Sequence, residues 1–354
     1  MKRFLCLALT LCLLLCGCGG GAAETTVPTT ADTTPETTEP VILYYHPLNG
    51  QQLEAPWTGR ATAVVINNIR AALPHYGTSG ADMIYELETE SGITRLLAVY
   101  SDLSTVDSIG PVRSARTFFN NIALSHDAVL IHCGGSQFAL NANYSENGDT
   151  ISNWAHINEQ NNGSYFFRDR ARYSSGYAWE HTLFTNSEKL LQGLSDKGYN
   201  TTYEGDGYDH GLVFAEDPGV TGTSATSATV KFRNSKTTSF KFDIESGLYK
   251  ASQYGDAMMD AGAGVQLSFR NVIVIKTEQF FRSDAYYSRS FYKLSGSGDG
   301  HLICDGQIVP ITWHRDELRG SFSYTYQDGT PVTLGVGKTY VCVVDSARGG
   351  VTFE

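Results

Sequence analysis

From residue 229 to 344, apolar and polar side chains alternate in nine short runs: 229–232, 239–243, 248–252, 272–276, 288–294, 301–304, 308–314, 321–326 and 339–344. A period of two puts every second side chain on the same face of a strand. Turn chemistry separates the runs, in Asp243 to Gly247, Gly296 to Gly300, Asp305-Gly306 and Asp328-Gly329. Such a chain buries its apolar face only by pairing strands into a sheet and covering that sheet. The pattern predicts a mostly-β C-terminal domain over 230–354, a small barrel or sandwich.

The first half has another rhythm. Residues 62–66 are a short apolar run ending at Asn67-Asn68, and 81–87 and 93–100 read as two further strands. Ala115, Phe118, Phe119, Ile122 and Ala123 recur at helical spacing within 114–126. The apolar strand 128–132 runs into Cys133-Gly134-Gly135-Ser136 and a short helix from Gln137, and a helix over 188–197 stops at Gly198. Strand, glycine turn and helix is an α/β signature, which places ligand groups at strand C-termini. The predicted fold class is α+β / α/β. A mixed α/β domain over 41–214 leads through a Pro/Gly/Ser/Thr linker, 215–229, to the smaller β-rich domain, and the two should separate on proteolysis.

The chain opens as an exported protein does. Lys2 and Arg3 precede an apolar run of twelve, 4–15, too short to remain as a membrane span. Leu15-Cys16-Gly17-Cys18 has the small residue before cysteine at which a lipoprotein leader is cut, so 1–17 is read as leader and Cys18 as the acylated residue. Cys16 is the poorer choice because Leu15 would sit at the cut. Two or three acyl chains on Cys18 would hold the chain stably at a membrane. Residues 18–40 combine that cysteine with Thr pairs, Pro and acidic residues, and read as a disordered tether.

Composition narrows the function classes. Against 26 Lys+Arg stand 37 Asp+Glu, a formal charge of -11, which argues against a nucleic-acid partner. Hydrophobic residues at 41% suffice for sizeable cores and exclude a disordered acidic chain. Of seven cysteines, Cys133, Cys304 and Cys342 remain beyond the leader and Cys18. Cys304 and Cys342 could pair, and Cys133 reads as a small buried residue. There is no HExxH, CxxC or zinc spacing, so neither metal nor cofactor is expected.

Chemistry-bearing residues gather in the first half. Glu86, Glu88 and Glu90 alternate, so a strand would show all three on one face, and Arg95 follows. Gly110-Pro111 presents Arg113 and Arg116, three apart at a helix start. His132 closes the apolar strand, and the N–H groups of Gly134, Gly135 and Ser136 would suit an anion. Arg168, Arg170, Arg172, Glu180 and His181 form a third polar cluster. One reading is a cleft floored by carboxylates and rimmed by arginines, binding an anionic or sugar ligand. The other makes Glu86, Glu90, Arg95, Arg113 and Arg116 structural ion pairs. On the first, Arg113 meets an internal carboxylate and Arg116 faces the ligand. Glu86 and Glu90 could also act as acid and base on a glycoside at a separation of about 5–9 Å. Ser136 and His132 lack a GxSxG elbow, and the SxxK at Ser290 and Lys293 puts its ends on opposite strand faces. No catalytic residue is assigned.

The stretches 65–100 (VINNIRAALPHYGTSGADMIYELETESGITRLLAVY), SIGPVRSAR at 108–116, IHCGGS at 131–136, NVIVIKT at 271–277 and the ITW…DGTPVTLGVGKTYV segment resemble the YerB-like lipoproteins, mostly of Gram-positive bacteria. The resemblance covers roughly residues 45–350. It implies an N-terminal and a C-terminal domain of unknown function and a lipid-anchored, extracytoplasmic protein without established enzymatic activity. Where that family reads Pro-His-Asn-Leu-Tyr-Thr, this chain has Glu180-His181-Thr182-Leu183-Phe184-Thr185. The expected function is a binding or accessory module of the cell envelope, anchored to the membrane at Cys18, whose N-domain cleft takes a glycan, a peptidoglycan fragment or a cell-wall protein. The alternatives are an envelope hydrolase using Glu86 or Glu90 and a spacer with no ligand.

Overall fold

In the computed structural model the strand Met83–Glu88 lies parallel to Thr339–Asp345, with Glu86 opposite Cys342. That pairing joins the two halves of the chain into one sheet. The structure describes residues 43–354 apart from 105, 145–149, 206, 284–286 and 318–319. The expected leader, Cys18 and the tether lie outside the described residues.

The joined sheet has eleven strands. From one edge it runs Thr223–Ser224, Gln307–Arg315, Gly296–Cys304, Asn271–Thr277, Thr339–Asp345, Met83–Glu88, Thr94–Tyr100, Thr62–Asn67, Val129–His132 and His156–Asn158, and Ser323–Tyr326 also pairs with Gln307–Arg315. Its central strands are apolar on both faces and buried from end to end, which requires cover on both sides. Parity decides which cover each residue meets. Ala63, Val65, Leu97 and Val99 pack with Phe118, Phe119 and Ile122 of the helix Thr117–Leu124. Val64, Ile66, Leu96 and Ala98 share the other core with Val230, Phe232 and Phe240 of a second, six-stranded sheet.

That second sheet runs Asp256–Ala257, Leu248–Gln253, Lys236–Asp243, Ser227–Arg233 and Gly350–Phe353, with Ser268–Phe269 also on Leu248–Gln253. Tyr340 anchors the two layers, its ring 5.1 Å from Phe240 and 4.9 Å from Phe269 between centroids. The α/β half followed by a β-rich half matches the expected fold class. The β-rich half is not a barrel, because both strand orders stay open.

Parts of the expected linker pair with strands of the fold. Val213–Ala215 pairs with Thr333–Gly335, Thr223–Ser224 with Gln307–Arg315, and Ser227 already belongs to a strand. A Thr/Ser/Gly composition reads as linker because it offers little to bury, yet its backbone pairs as well as any other. Leu43–Glu354 forms one compact unit.

The disulfide expected as one option for Cys304 and Cys342 does not form, and both thiols are free. The strand Asn271–Thr277 runs between them, pairing Asn271 with Cys304 and Val274 with Cys342. The two side chains also enter opposite cores. Among the described residues, no helix is long and apolar enough to cross a membrane.

Candidate functional site

Thr62–Asn67, Met83–Glu88, Val129–His132 and His156–Asn158 all point the same way, and Thr94–Tyr100 runs against them. Their shared edge therefore collects Asn67, Glu88, His132 and Asn158 from strand ends and Arg95, paired with both Asn67 and Leu87, from a strand start. This is where an α/β sheet presents ligand groups.

The segment 109–116 crosses that edge and is stitched to it by backbone bonds. Asn67 N donates to Pro111 O, Val112 N to Leu183 O, Arg113 N to Val65 O, and Cys133 N to Arg113 O, all within 2.8–3.1 Å. A Cβ on Gly110 would meet the Leu183 carbonyl oxygen at 2.9 Å, so the turn needs glycine.

Held this way, Arg113 and Arg116 converge on Arg95. Arg95 is 6% exposed, its Nη1 donates to Ser114 O at 2.5 Å, and its buried Nε has no partner. Burial pushes its guanidinium well below the usual arginine range, and the neighbouring Arg116 and Arg113 charges push the same way. Glu90 supplies the counter-charge. It takes Arg116 Nε at 2.8 Å and Arg116 Nη2 at 2.5 Å, with Ser290 N at 3.2 Å and Arg289 Nη1 at 3.9 Å. Burial alone would raise the Glu90 carboxyl, but Arg116 overcomes it and holds it below its usual value. Arg113 reaches Glu180 at 3.5 Å, an exposed carboxylate, and leaves its own buried Nε unpartnered. The roles expected for the two arginines are thus exchanged: Arg116 is the internal pair and Arg113 the one toward solvent. Ile109 and Val112 beside it are buried without carrying the Arg113 side chain with them.

Glu86 is elsewhere. On the face covered by the second sheet, it is 0% exposed and meets Lys236 Nζ at 3.0 Å. Asn68 Nδ2 donates to Oε1 at 2.8 Å, Thr94 Oγ1 to Oε1 at 2.6 Å, and Thr238 Oγ1 and Tyr340 OH each to Oε2 at 2.7 Å. Burial pushes this carboxyl up, and Lys236 with the hydroxyl donors brings it below its usual value. Glu88 shares the face and pairs with Arg233 Nε at 2.6 Å. The expected carboxylate floor reduces to Glu90, because the positions of Glu86 and Glu88 turn them into the interior between the sheets. Five partners and no exposure leave Glu86 no access to a substrate.

The His132 to Ser136 turn stands apart as well. His132 is fully buried, its Nδ1 2.8 Å from Gly134 O and its Nε2 3.0 Å from His156 Nδ1, and burial pushes its pKa down to about 4. Gly134 N donates to Asn158 Oδ1 at 2.8 Å and Ser136 N to Ala115 O at 3.4 Å, while Ser136 itself is 2% exposed. Gly134, Gly135 and Ser136 therefore serve the fold as a brace for the arginine segment, and the helix after them, Gln137–Leu140, has four residues. Cys133 donates to Glu159 Oε2 at 3.2 Å, and burial pushes its thiol up to about 12. No group of three His, Cys, Asp or Glu among the described residues is placed to hold a metal ion.

The sequence reading had no place for Glu159, Arg289 or Lys236. Lys236 did carry a signal, since it shares strand parity with the inward Phe240 and an inward charge requires a partner. Arg289 and Glu159 carried none, because only the tertiary fold brings them to the edge.

Two family profiles match, the N-terminal domain of a protein of unknown function (DUF3048) over residues 48–200 and the corresponding C-terminal domain over 228–341. The chain is 25% identical over 311 residues to a Bacillus subtilis (strain 168) protein described as "Putative lipoprotein YerB", covering 84% of this chain and 88% of that one. The crystal structure of the YerB protein from Bacillus subtilis superposes with a TM-score of 0.71 at 24% identity, covering 87% of this chain and 99% of the other. Paired N- and C-terminal domains in the same order, on a shared fold, place this chain in the YerB-like lipoprotein family.

Proposed function

We propose that the chain is a binding protein held by a lipid on Cys18 at the outer face of the cell membrane, and that its arginine edge takes an anionic group, a carboxylate or a phosphate, of an envelope component. The observation that supports this is Arg95. A guanidinium buried this deeply, with one carbonyl partner and an orphaned Nε, is costly unless something negative completes it. Around it stand Arg113, Arg116 and Arg289 against Glu90, with the exposed Glu180 beyond. An arginine excess in a chain of formal charge -11 is a local feature, and arginine forks suit bidentate contact with carboxylate or phosphate.

Isothermal titration of the lipid-free protein, residues 41–354, with sodium phosphate and with acetate tests this. Saturable binding of either anion is expected, lost in Arg95→Met, which keeps the stem and removes the charge. Arg113→Gln is the second variant and should weaken binding without disturbing the core. No saturable binding of either anion to the parent protein overturns the proposal.

A further inference from the structure

Beside the arginines lies an aromatic feature that the anion reading leaves unused. Trp179 and Tyr173 are each 57% exposed. Their rings meet at 88° with centroids 5.6 Å apart, and together with Phe167 they wall a pocket rimmed by Arg168, Asp169 and Arg170. Arg168 also lies over the indole, 4.6 Å from its centroid. Two adjacent large aromatics are thus left in water.

The pocket is tied to the arginine edge by a circuit of contacts. Arg113 meets Glu180 at 3.5 Å, and Glu180 follows Trp179 in the same turn. Arg168 Nη1 donates to Trp179 O at 2.9 Å, and its Nη2 lies 3.6 Å from Glu159. Glu159 takes the Cys133 thiol, and Cys133 N returns to Arg113 O.

We infer that this pocket and the arginine edge tied to it bind an acidic saccharide, with its carboxylate or phosphate at Arg95 and Arg113 and a neighbouring sugar ring against Trp179 and Tyr173. This rests on the anion reading above and names its ligand class. A pyranose ring offers an apolar C–H face to an indole while its hydroxyls point sideways, where Arg168, Asp169 and Arg170 can bond them. A protein partner would need about 800 Å² of surface on this side, more than a few rings inside a charged rim provide. The arginines of the rim suit an acidic sugar over a neutral one by charge.

The test titrates residues 41–354 with a tetrasaccharide alternating glucuronate and N-acetylglucosamine, with neutral chitotetraose, with sodium phosphate, and with phosphatidylglycerol vesicles. The acidic tetrasaccharide is expected to bind more tightly than chitotetraose and to compete with phosphate. Trp179→Ala should weaken the tetrasaccharide about tenfold while phosphate keeps its affinity, because phosphate engages only the arginines. Tyr173→Ala should act in the same direction, and thermal melts of both exposed-site variants should match the parent. Phosphate binding with equal affinity for tetrasaccharide in parent and Trp179→Ala overturns the platform and leaves the anion site standing. Vesicle binding with no response to the tetrasaccharide also overturns it. No binding of any probe overturns both readings.

Discussion

Glu86 and Lys236 form an ion pair at 3.0 Å with the two side chains 0% and 1% exposed. One comes from the α/β half and the other from the six-stranded sheet of the β-rich half, so the pair pins the two layers together. Lys236 also donates to Gln253 Oε1 at 2.6 Å and lies 4.7 Å from the Tyr254 ring centroid. Two charges taken out of water are tolerable only while each completes the other.

Removing the cation alone should therefore be severe. Lys236→Met strands a carboxylate among hydroxyl donors and is expected to cost about 3–5 kcal/mol. Adding Glu86→Gln to it should recover much of that loss, because the amide needs no counter-charge. Urea unfolding of the two single variants and the double variant forms a mutant cycle. Additive losses would show that the pair is not coupled.

The shared sheet predicts how the chain breaks. Limited proteolysis should find no preferred cut in 215–229, because Ala215 pairs with Gly335 and Thr223–Ser224 with Gln307–Arg315, which pins the segment at both places. Residues 230–354 expressed alone should fail to fold cooperatively, since they would leave the edge of Thr339–Asp345 that pairs with Met83–Glu88 bare and apolar. A sharp thermal transition from that fragment would refute the single-unit view.

The arginines separate by melting temperature. Arg116→Ala leaves Glu90 without its two-point partner in a partly buried place and should cost about 1–3 kcal/mol. Arg113→Ala breaks only a pair with the exposed Glu180, expected at about 0–1 kcal/mol. Equal, large drops in the two melts would contradict the division of labour between them.

What the sequence revealed follows from what is local. The runs 62–66, 93–100 and 128–132 are dominated by apolar residues and became buried strands of the large sheet. Arg95, Arg113 and Arg116 were legible as candidates because a strand start and a Gly-Pro turn place them near strand ends. The pairing of Met83–Glu88 with Thr339–Asp345 was not, because parallel partners that distant in sequence share no turn and no local pattern. The same pairing explains why Glu86 misled. Alternation correctly placed it with Glu88 on one face, but which layer would cover that face depended on a sheet formed far along the chain.

Acid should unfold the protein well before its carboxylates are titrated, and the histidines are the reason. His75, His132 and His210 are buried, and burial pushes each pKa from 6.5 down to about 4. In the unfolded chain each takes a proton near pH 6.5, while in the fold it resists until about pH 4. Between these values the unfolded state binds more protons, so stability rises with pH across the window and falls as pH drops through it. Each site accounts for about 3 kcal/mol when the window is fully crossed. Glu90 and Glu86, held below their usual values, add their own loss only further down, as pH falls through the carboxylate range. Glu88, which burial pushes up, works in the opposite direction and offsets part of the fall. Urea unfolding from pH 8 to pH 4.5 should then show a plateau above about pH 7 and a steep decline below pH 6. Replacing His132 with Gln should shallow that decline by about one proton's worth of slope. A free energy flat down to pH 4.5 would mean that these histidines are not buried neutral.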